Sequence, residues 1–79
     1  METKTKVFYS DFGAVGDGAT EDFHAIKAAH DYANEHNIPV YAEKGKTYYI
    51  GDAPIKNREV ITIKTSTFKN NRVTFAFDF

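Results

Sequence analysis

The apolar positions of the chain change period once, from a helical spacing to an alternating one. Between residues 21 and 36 they recur every three to four residues, and at about 100° per residue they share one face. This spacing predicts an amphipathic helix over 21–36, with Thr20 as its N-cap, Asn37 in the left-handed conformation at its end and Pro39 just beyond. Its predicted buried stripe comprises Phe23, Ile26, Ala29, His30 and Ala33.

Short runs of alternating apolar and polar residues predict strands on both sides of this helix. One strand is expected at 4–9, and the glycines of 10–20 predict a structured loop without a regular element. After Pro39 the period is two, and the strand starts are 9, 12 and 13 residues apart. This spacing fits either a meander or the successive sides of β-solenoid coils. The four further strands are predicted at 38–42, 47–50, 59–65 and 72–78.

The strand predicted at 72–78 is the most apolar of the set. Its alternation brings four apolar side chains to one face, and no sequence follows to pair or cover them. We therefore expect an incomplete fold that is able to self-associate through this strand. A central strand that is already covered on both edges would also explain the pattern. The side chains concerned are Val73, Phe75, Phe77 and Phe79.

Length and composition limit the classes of protein that this chain can represent. Its 79 residues form at most one small domain, and the absence of cysteine excludes disulfides, thiolate zinc sites and a cysteine nucleophile. Ten basic and eleven acidic residues lack the basic excess of a nucleic-acid-binding domain. No apolar run approaches the roughly 20 residues of a membrane span, and the N-terminus lacks the apolar core of a signal peptide. We expect no membrane association and, as written, no export.

Acidic residues are concentrated between Asp11 and Asp22, where four carboxylates occur in twelve residues. Such a group could bind Ca²⁺ or act as acid and base on a glycosidic bond, but the spacing differs from that of an EF-hand. A structural interpretation accounts for every residue. Asp17 and Gly18 form a tight turn, Asp11 bonds to the backbone that follows it, and residues 20–22 cap the helix. We favour this interpretation and predict neither a metal nor a cofactor.

Three histidines lie on the predicted helix at steps of six residues: His24, His30 and His36. Steps of about 600° spread them around the helix axis, unlike the i, i+4 pair of a zinc-binding helix. Only His30 lies within the apolar stripe. We expect it to be a core histidine bonded to a backbone carbonyl rather than a catalytic group.

Tyr41, Tyr48 and Tyr49 fall on neighbouring predicted strands, with Lys44 and Lys46 between them. Exposed aromatic rings beside polar groups are typical of sites that hold sugar rings. Tyrosine also fills strands and cores because of its β propensity. We favour the core interpretation, and the alternative remains open at this point.

The segment 11–22, with Ala25-Ile26-x-x-Ala29 and then Gly45-Lys46-Thr47-Tyr48-Tyr49-Ile50, resembles the opening of the pectate lyase superfamily. The resemblance covers about residues 7–50, with Glu21 where the family often has aspartate and His30 where it has an apolar residue. It implies a right-handed parallel β-helix, the fold of pectin-degrading lyases, polygalacturonase-type hydrolases and bacteriophage tailspikes. The fold class expected is therefore mainly β with one capping helix, truncated after the first coils.

The resemblance also implies a division of the chain and a function. Residues 1–20 would form a strand and the glycine-rich loop, 21–37 the capping helix and 38–79 the first strands of the β-helix. The full-length protein would bind or depolymerise polysaccharide, whereas this chain would be non-catalytic. A tailspike, tail fibre or surface protein that binds glycan without turnover is the alternative, and a self-contained twisted antiparallel sheet under the helix is a third. No catalytic residue is carried over, and the positions that match the family's structural motif are Asp11, Gly13, Gly16, Asp17, Gly18, Thr20 and Asp22.

Overall fold

The computed structural model describes residues 5–51, 60–69 and 71–76. These residues form one α-helix, one 3₁₀-helix and several short strands. Residue 4 of the strand predicted at 4–9, residue 59 of the strand predicted at 59–65 and residues 77 and 78 of the strand predicted at 72–78 lie outside the described residues, as does Phe79. In chain order the elements are β1 (Val7–Phe8), the 3₁₀-helix η1 (Tyr9–Phe12), β2 (Asp17–Glu21), α1 (Phe23–His36), β3 (Val40–Tyr41), β4 (Thr47–Tyr49), β5 (Phe68–Lys69) and β6 (Thr74–Ala76).

The strands belong to two three-stranded sheets in which every pairing is parallel. The first sheet has the order β1-β3-β5 and the second sheet the order β2-β4-β6. The chain therefore visits the two sheets alternately, and each return to a sheet runs in the same direction as the strand beside it. The alternative of an antiparallel sheet under the helix is therefore wrong. Parallel neighbours need a crossover connection, and here the chain makes that connection through the opposite sheet.

Residues of equivalent position stack on one another along each sheet. In the first sheet Val40 lies opposite both Val7 and Phe68, and in the second Tyr48 lies opposite Phe75. Because successive side chains of a strand point to opposite faces, these residues share the inner faces. Val7, Val40 and Tyr48 are buried, with Phe68 and Phe75 packed against them. The predicted alternation of residues 38–42 and 47–50 is thus confirmed in β3 and β4, which are shorter.

The helix α1 begins two residues later than expected, and its N-cap is Asp22 rather than Thr20. Thr20 donates its hydroxyl to the Asp17 carboxylate, and the Asp22 amide donates to the Tyr49 carbonyl at 2.9 Å. The chain therefore stays in β2, paired with β4, as far as Glu21, and the helix begins only after Asp22. The predicted stripe is confirmed, since all five of its members are buried. The end of the helix is also as predicted, because Asn37 has φ 54° and its backbone amide donates to the Ala33 carbonyl.

The loop predicted at 10–20 is wrong in two places, since η1 and β2 both contain residues of it. Glycine lowers the intrinsic preference for a strand, but pairing with β4 outweighs it, and a register irregularity between Asp17 and Glu21 accommodates Gly18. The strand predicted at 59–65 is also misplaced. Residues 60–64 have no strand pairing, and β5 begins only at Phe68.

Within the described parts of the strands predicted at 4–9 and 72–78, only Val7–Phe8 and Thr74–Ala76 are paired, as β1 and β6. The most apolar strand is also less exposed than expected where it is described. Phe75 is half-buried and packs against the core from β6. No helix within the described ranges is long and apolar enough to cross a membrane.

Candidate functional site

Asp22 is the most buried carboxylate of the predicted motif, at 1% exposure. Its Oδ1 accepts the Val15 amide at 3.0 Å, and its Oδ2 accepts the Gly16 amide at 2.9 Å. The carbonyl of the same residue accepts the Ile26 amide in the first turn of α1. Asp22 thereby ties the glycine-rich segment to the start of the helix.

Asp17 has the same role for its own turn, but at the surface. Its Oδ1 accepts the amides of Ala19 at 2.9 Å and Thr20 at 2.7 Å, and its Oδ2 accepts the Thr20 hydroxyl at 2.9 Å. These hydrogen bonds, led by that of the Thr20 amide, lower the pKa of Asp17. The predicted Asp-Gly turn is confirmed, with Thr20 as part of the turn rather than as the helix cap.

Asp11 and Glu21 also accept backbone donors. Asp11 Oδ2 accepts the amide of Phe8 at 2.9 Å, a residue that precedes it, whereas the sequence predicts a bond to the backbone that follows. Glu21 Oε1 accepts the amide of Phe23 at 2.7 Å and thus satisfies one of the free N–H groups at the start of α1. The sequence shows the acidic cluster, but which N–H group each carboxylate accepts depends on the path of the folded backbone.

The glycines of the motif occupy positions that other residues rarely adopt. Gly13 has φ +97° and ends η1, and Gly18 has φ +77° within the Asp17 turn. Gly16 has φ +74°, and a Cβ there would lie 3.0 Å from the Cβ of Lys46. Positive φ explains why glycine stands at all three positions, and the close approach of Lys46 adds a second reason at Gly16.

The arrangement of the motif supports folding rather than chemistry. All four of its carboxylates accept N–H groups of their own chain, so a cation would have to compete with these bonds. Within the parts of the chain that the structure describes, no group of three or more His, Cys, Asp or Glu residues is placed to hold a metal ion.

His30 and Tyr9 form a buried polar pair inside the molecule. Tyr9 Oη lies 2.7 Å from His30 Nε2, and the two residues are 1% and 0% exposed. The expected backbone-carbonyl partner is therefore wrong, although His30 is a core residue as predicted. The apolar stripe of the helix predicted that His30 is buried. Its partner Tyr9 lies 21 positions earlier, and no sequence pattern indicated that the two residues meet.

Burial controls the ionisation of this pair. Desolvation lowers the pKa of His30 to about 4, with a smaller opposing effect of Asp31. Desolvation also raises the pKa of Tyr9, and the nearby Tyr48 adds to this. Both groups are therefore neutral at pH 7.

A cavity of about 180 Å³ lies beside this pair, between α1, β5 and β6. Ile26 and His30 line it from the helix, and Phe68 and Phe75 line it from the two sheets. Ile63 also lines the cavity and is 47% exposed, so it lies at the mouth. The cavity wall is almost entirely apolar, and Tyr9 and His30 are the polar side chains among its described lining residues.

The three tyrosines considered for sugar binding do not form one cluster. Tyr48 is buried, accepts the Glu43 amide on its hydroxyl at 3.1 Å and packs edge-on against Tyr9 with ring centroids 5.1 Å apart. Tyr41 lies in the first sheet, where its ring is 5.6 Å from that of Phe8, whereas Tyr49 lies in the second sheet. The core interpretation is confirmed for Tyr48.

Comparisons of this chain with protein-family models, with curated proteins and with solved structures gave no match. The sequence motif and the geometry described above therefore carry the functional argument.

Proposed function

We propose that this chain is the N-terminal cap and the first coils of a parallel β-helix, and that the full-length protein binds or depolymerises a polysaccharide. The chain itself is non-catalytic in this proposal. The observation that carries it is the path of the chain, which visits two parallel sheets in the orders β1-β3-β5 and β2-β4-β6. In a solenoid each coil stacks on the one before it, so that equivalent strands of successive coils are parallel neighbours.

The register of the strands supports a stack of coils. Thr47, Tyr48 and Tyr49 of β4 lie opposite Thr74, Phe75 and Ala76 of β6 without a shift. The rings of Tyr9, Tyr48 and Phe75 contact one another across the layers, with centroids 5.1–6.4 Å apart. Stacking of this kind builds the continuous core on which solenoids depend.

The position of α1 supports its role as a cap. The helix contacts η1 and two neighbouring strands of the first sheet, β1 and β3. Its stripe, represented by Ile26, Ala29 and Ala33, is at most 2% exposed. A helix that covers the inner side of the first strands shields their apolar faces from water, which is what terminal repeats of a solenoid require.

The polysaccharide component of the proposal rests on the resemblance of residues 11–22 and 45–50 to the pectate lyase superfamily. The structure assigns local roles to the residues of that motif: Asp17 and Asp22 accept backbone amides, and Gly16 and Gly18 have positive φ. A motif whose carboxylates each accept a backbone amide is consistent with a cap that contributes no catalytic group of its own.

The function is tested by comparing the full-length gene product with residues 1–79 on polygalacturonate and on a neutral polysaccharide. Glycan binding is measured by calorimetry, and cleavage by the release of unsaturated or reducing ends. We expect the full-length protein to bind one of the polymers, with or without cleavage, and residues 1–79 to release no ends. Binding without release would select the glycan-binding alternative over an enzyme.

Two results would contradict the proposal. Release of ends by residues 1–79 alone would show that the chain is catalytic. A full-length product that neither binds nor cleaves any polysaccharide tested would remove the carbohydrate function, while leaving the stacked arrangement of the sheets unaffected.

A further inference from the structure

The cavity between α1, β5 and β6 has the size and lining of a small-molecule site. An engineered apolar cavity of about 150 Å³ is known to hold benzene while remaining free of water. The present cavity, at about 180 Å³, has room for one aromatic ring with a small substituent. Its lining by Ile26, Phe68 and Phe75 offers the apolar contacts that such a ring needs.

A molecule from solvent can reach this cavity without unfolding of the chain. Ile63 lines the cavity and is 47% exposed, whereas the neighbouring Val60 is 63% exposed and does not line it. Only one of these two exposed apolar residues therefore lies at the mouth. Ile63 and Val60 therefore offer a matched comparison between a residue of the site and one outside it.

His30, one of the lining residues, has a buried ring nitrogen without a partner. His30 Nε2 is bonded to Tyr9 Oη, but His30 Nδ1 is buried and has no hydrogen-bond partner within the described structure. A neutral imidazole has one donor and one acceptor nitrogen, so Nδ1 donates or accepts according to the tautomer. A hydroxyl group matches both cases because it donates and accepts.

The same surroundings exclude a charged occupant. Among the described residues that line the cavity none is ionised at neutral pH, since they are isoleucine, phenylalanine, Tyr9 and the neutral His30. A charged ligand would lose its hydration there without gaining a counter-charge. We propose that this cavity is a binding site for a small, neutral aromatic molecule that carries one hydroxyl group, such as a phenol, with His30 Nδ1 as its hydrogen-bond partner.

The probes that test the site are 4-fluorophenol and fluorobenzene, which differ by one hydroxyl group. Each is titrated into the 79-residue chain at pH 7 and followed by ¹⁹F NMR, with intermolecular NOEs to the methyl groups of Ile26 and Ile63. We expect saturable binding of both, with 4-fluorophenol bound about three- to tenfold more tightly because of one additional hydrogen bond.

Variants at the mouth locate the site without disturbing the core. Ile63→Trp places a large side chain at the mouth and is expected to weaken the binding of both probes at least tenfold. Val60→Trp adds the same side chain three positions away, at a residue that does not line the cavity, and is expected to leave both affinities within twofold of the original. In His30→Phe, where it folds, the preference for 4-fluorophenol is expected to be lost.

Three results would overturn the inference. Absence of saturable binding up to millimolar probe, with the chain folded, would mean that the cavity accepts no such molecule. Equal affinity for the two probes would remove His30 as the hydrogen-bond partner. Equal effects of Ile63→Trp and Val60→Trp would place binding elsewhere. None of these results depends on whether the full-length protein acts on polysaccharide.

Discussion

At the scale of single residues, the acidic side chains between 11 and 22 organise the backbone around them. Asp17 and Asp22 accept the same kinds of donor, but Asp17 is exposed whereas Asp22 is buried. When the carboxylate is removed, exposed amides that it accepted can bond to water instead, whereas buried amides cannot. Asp22 is therefore expected to contribute more to stability than Asp17.

Replacing Asp22 by alanine should lower the free energy of unfolding by about 2–3 kcal/mol, because the buried Gly16 amide and the partly buried Val15 amide lose a charged acceptor. Asp31→Ala is the control, since Asp31 is half-exposed and its carboxylate pairs with Lys27 across one helical turn. Such a surface pair contributes less than about 1 kcal/mol. Urea denaturation of the two variants measures the difference, and equal midpoints would refute the role assigned to Asp22.

Acid should destabilise the protein through His30. Its pKa is about 4 in the folded chain, below the ordinary value of 6.5, so the unfolded chain binds the proton more readily. The contribution of His30 to stability is therefore fully present above about pH 6.5 and is lost as the pH falls towards 4, by up to about 3 kcal/mol.

The measurement is the free energy of unfolding at several pH values between 7 and 4 for the original chain and for His30→Gln. The variant should show a shallower decline over this interval. His36→Gln, at an exposed position of the same helix, is the control and should retain the original slope. An unchanged slope in His30→Gln would assign the acid sensitivity to other groups.

At the scale of elements, the strands are too short to be stable by themselves. β1, β3 and β5 contain two residues each, so contacts from outside the sheets must hold them in place. Asn34 of α1 supplies such contacts. Its Nδ2 donates to the Thr62 carbonyl at 2.6 Å, and its Oδ1 accepts the Lys64 amide at 3.4 Å. The segment that leads into β5 is thereby attached to the helix.

Asn34→Ala should lower the free energy of unfolding by about 1–2 kcal/mol and increase hydrogen exchange at the amides of Thr67 and Phe68, which bond to the Lys64 carbonyl. The adjacent Glu35→Ala, at an exposed position, should change neither quantity by a measurable amount. Exchange at Thr67 and Phe68 that is no faster than in the Glu35 variant would contradict the attachment.

At the scale of the whole molecule, the two sheets are built from residues that are far apart in sequence but in register in space. Thr47 lies opposite Thr74, whereas Tyr49 lies opposite Ala76, two positions further along. Neighbouring strands are about 4.8 Å apart, within the Cα distance range of a disulfide, but a displacement of two residues extends this to about 8 Å. Engineered cysteines can therefore report the register.

The double variant Thr47→Cys/Thr74→Cys should form a disulfide readily, which a chain without cysteine of its own makes simple to detect. The bridge should raise the free energy of unfolding by up to about 3 kcal/mol. Tyr49→Cys/Thr74→Cys is the displaced control and should remain reduced under mild oxidation. The reverse outcome, or no bridge in either variant, would contradict the parallel register of β4 and β6.

The sequence by itself determined those features that depend on neighbouring residues. The helix stripe and the end of the helix at Asn37 follow from a 3.6-residue period and from a residue suited to positive φ. The acidic cluster and its glycines also predicted the tight turn at Asp17 and Gly18.

Only the tertiary structure decided how the strands pair and where each polar group finds its partner. A period of two indicates a strand but not its neighbour, so parallel and antiparallel arrangements of the same strands were equally compatible with the alternation. The start of α1, the strand at Asp17–Glu21, the bond between Tyr9 and His30 and the cavity beside them all depend on contacts between distant residues. Local sequence does not encode those contacts individually, because each exists only once the two sheets and the helix have packed together.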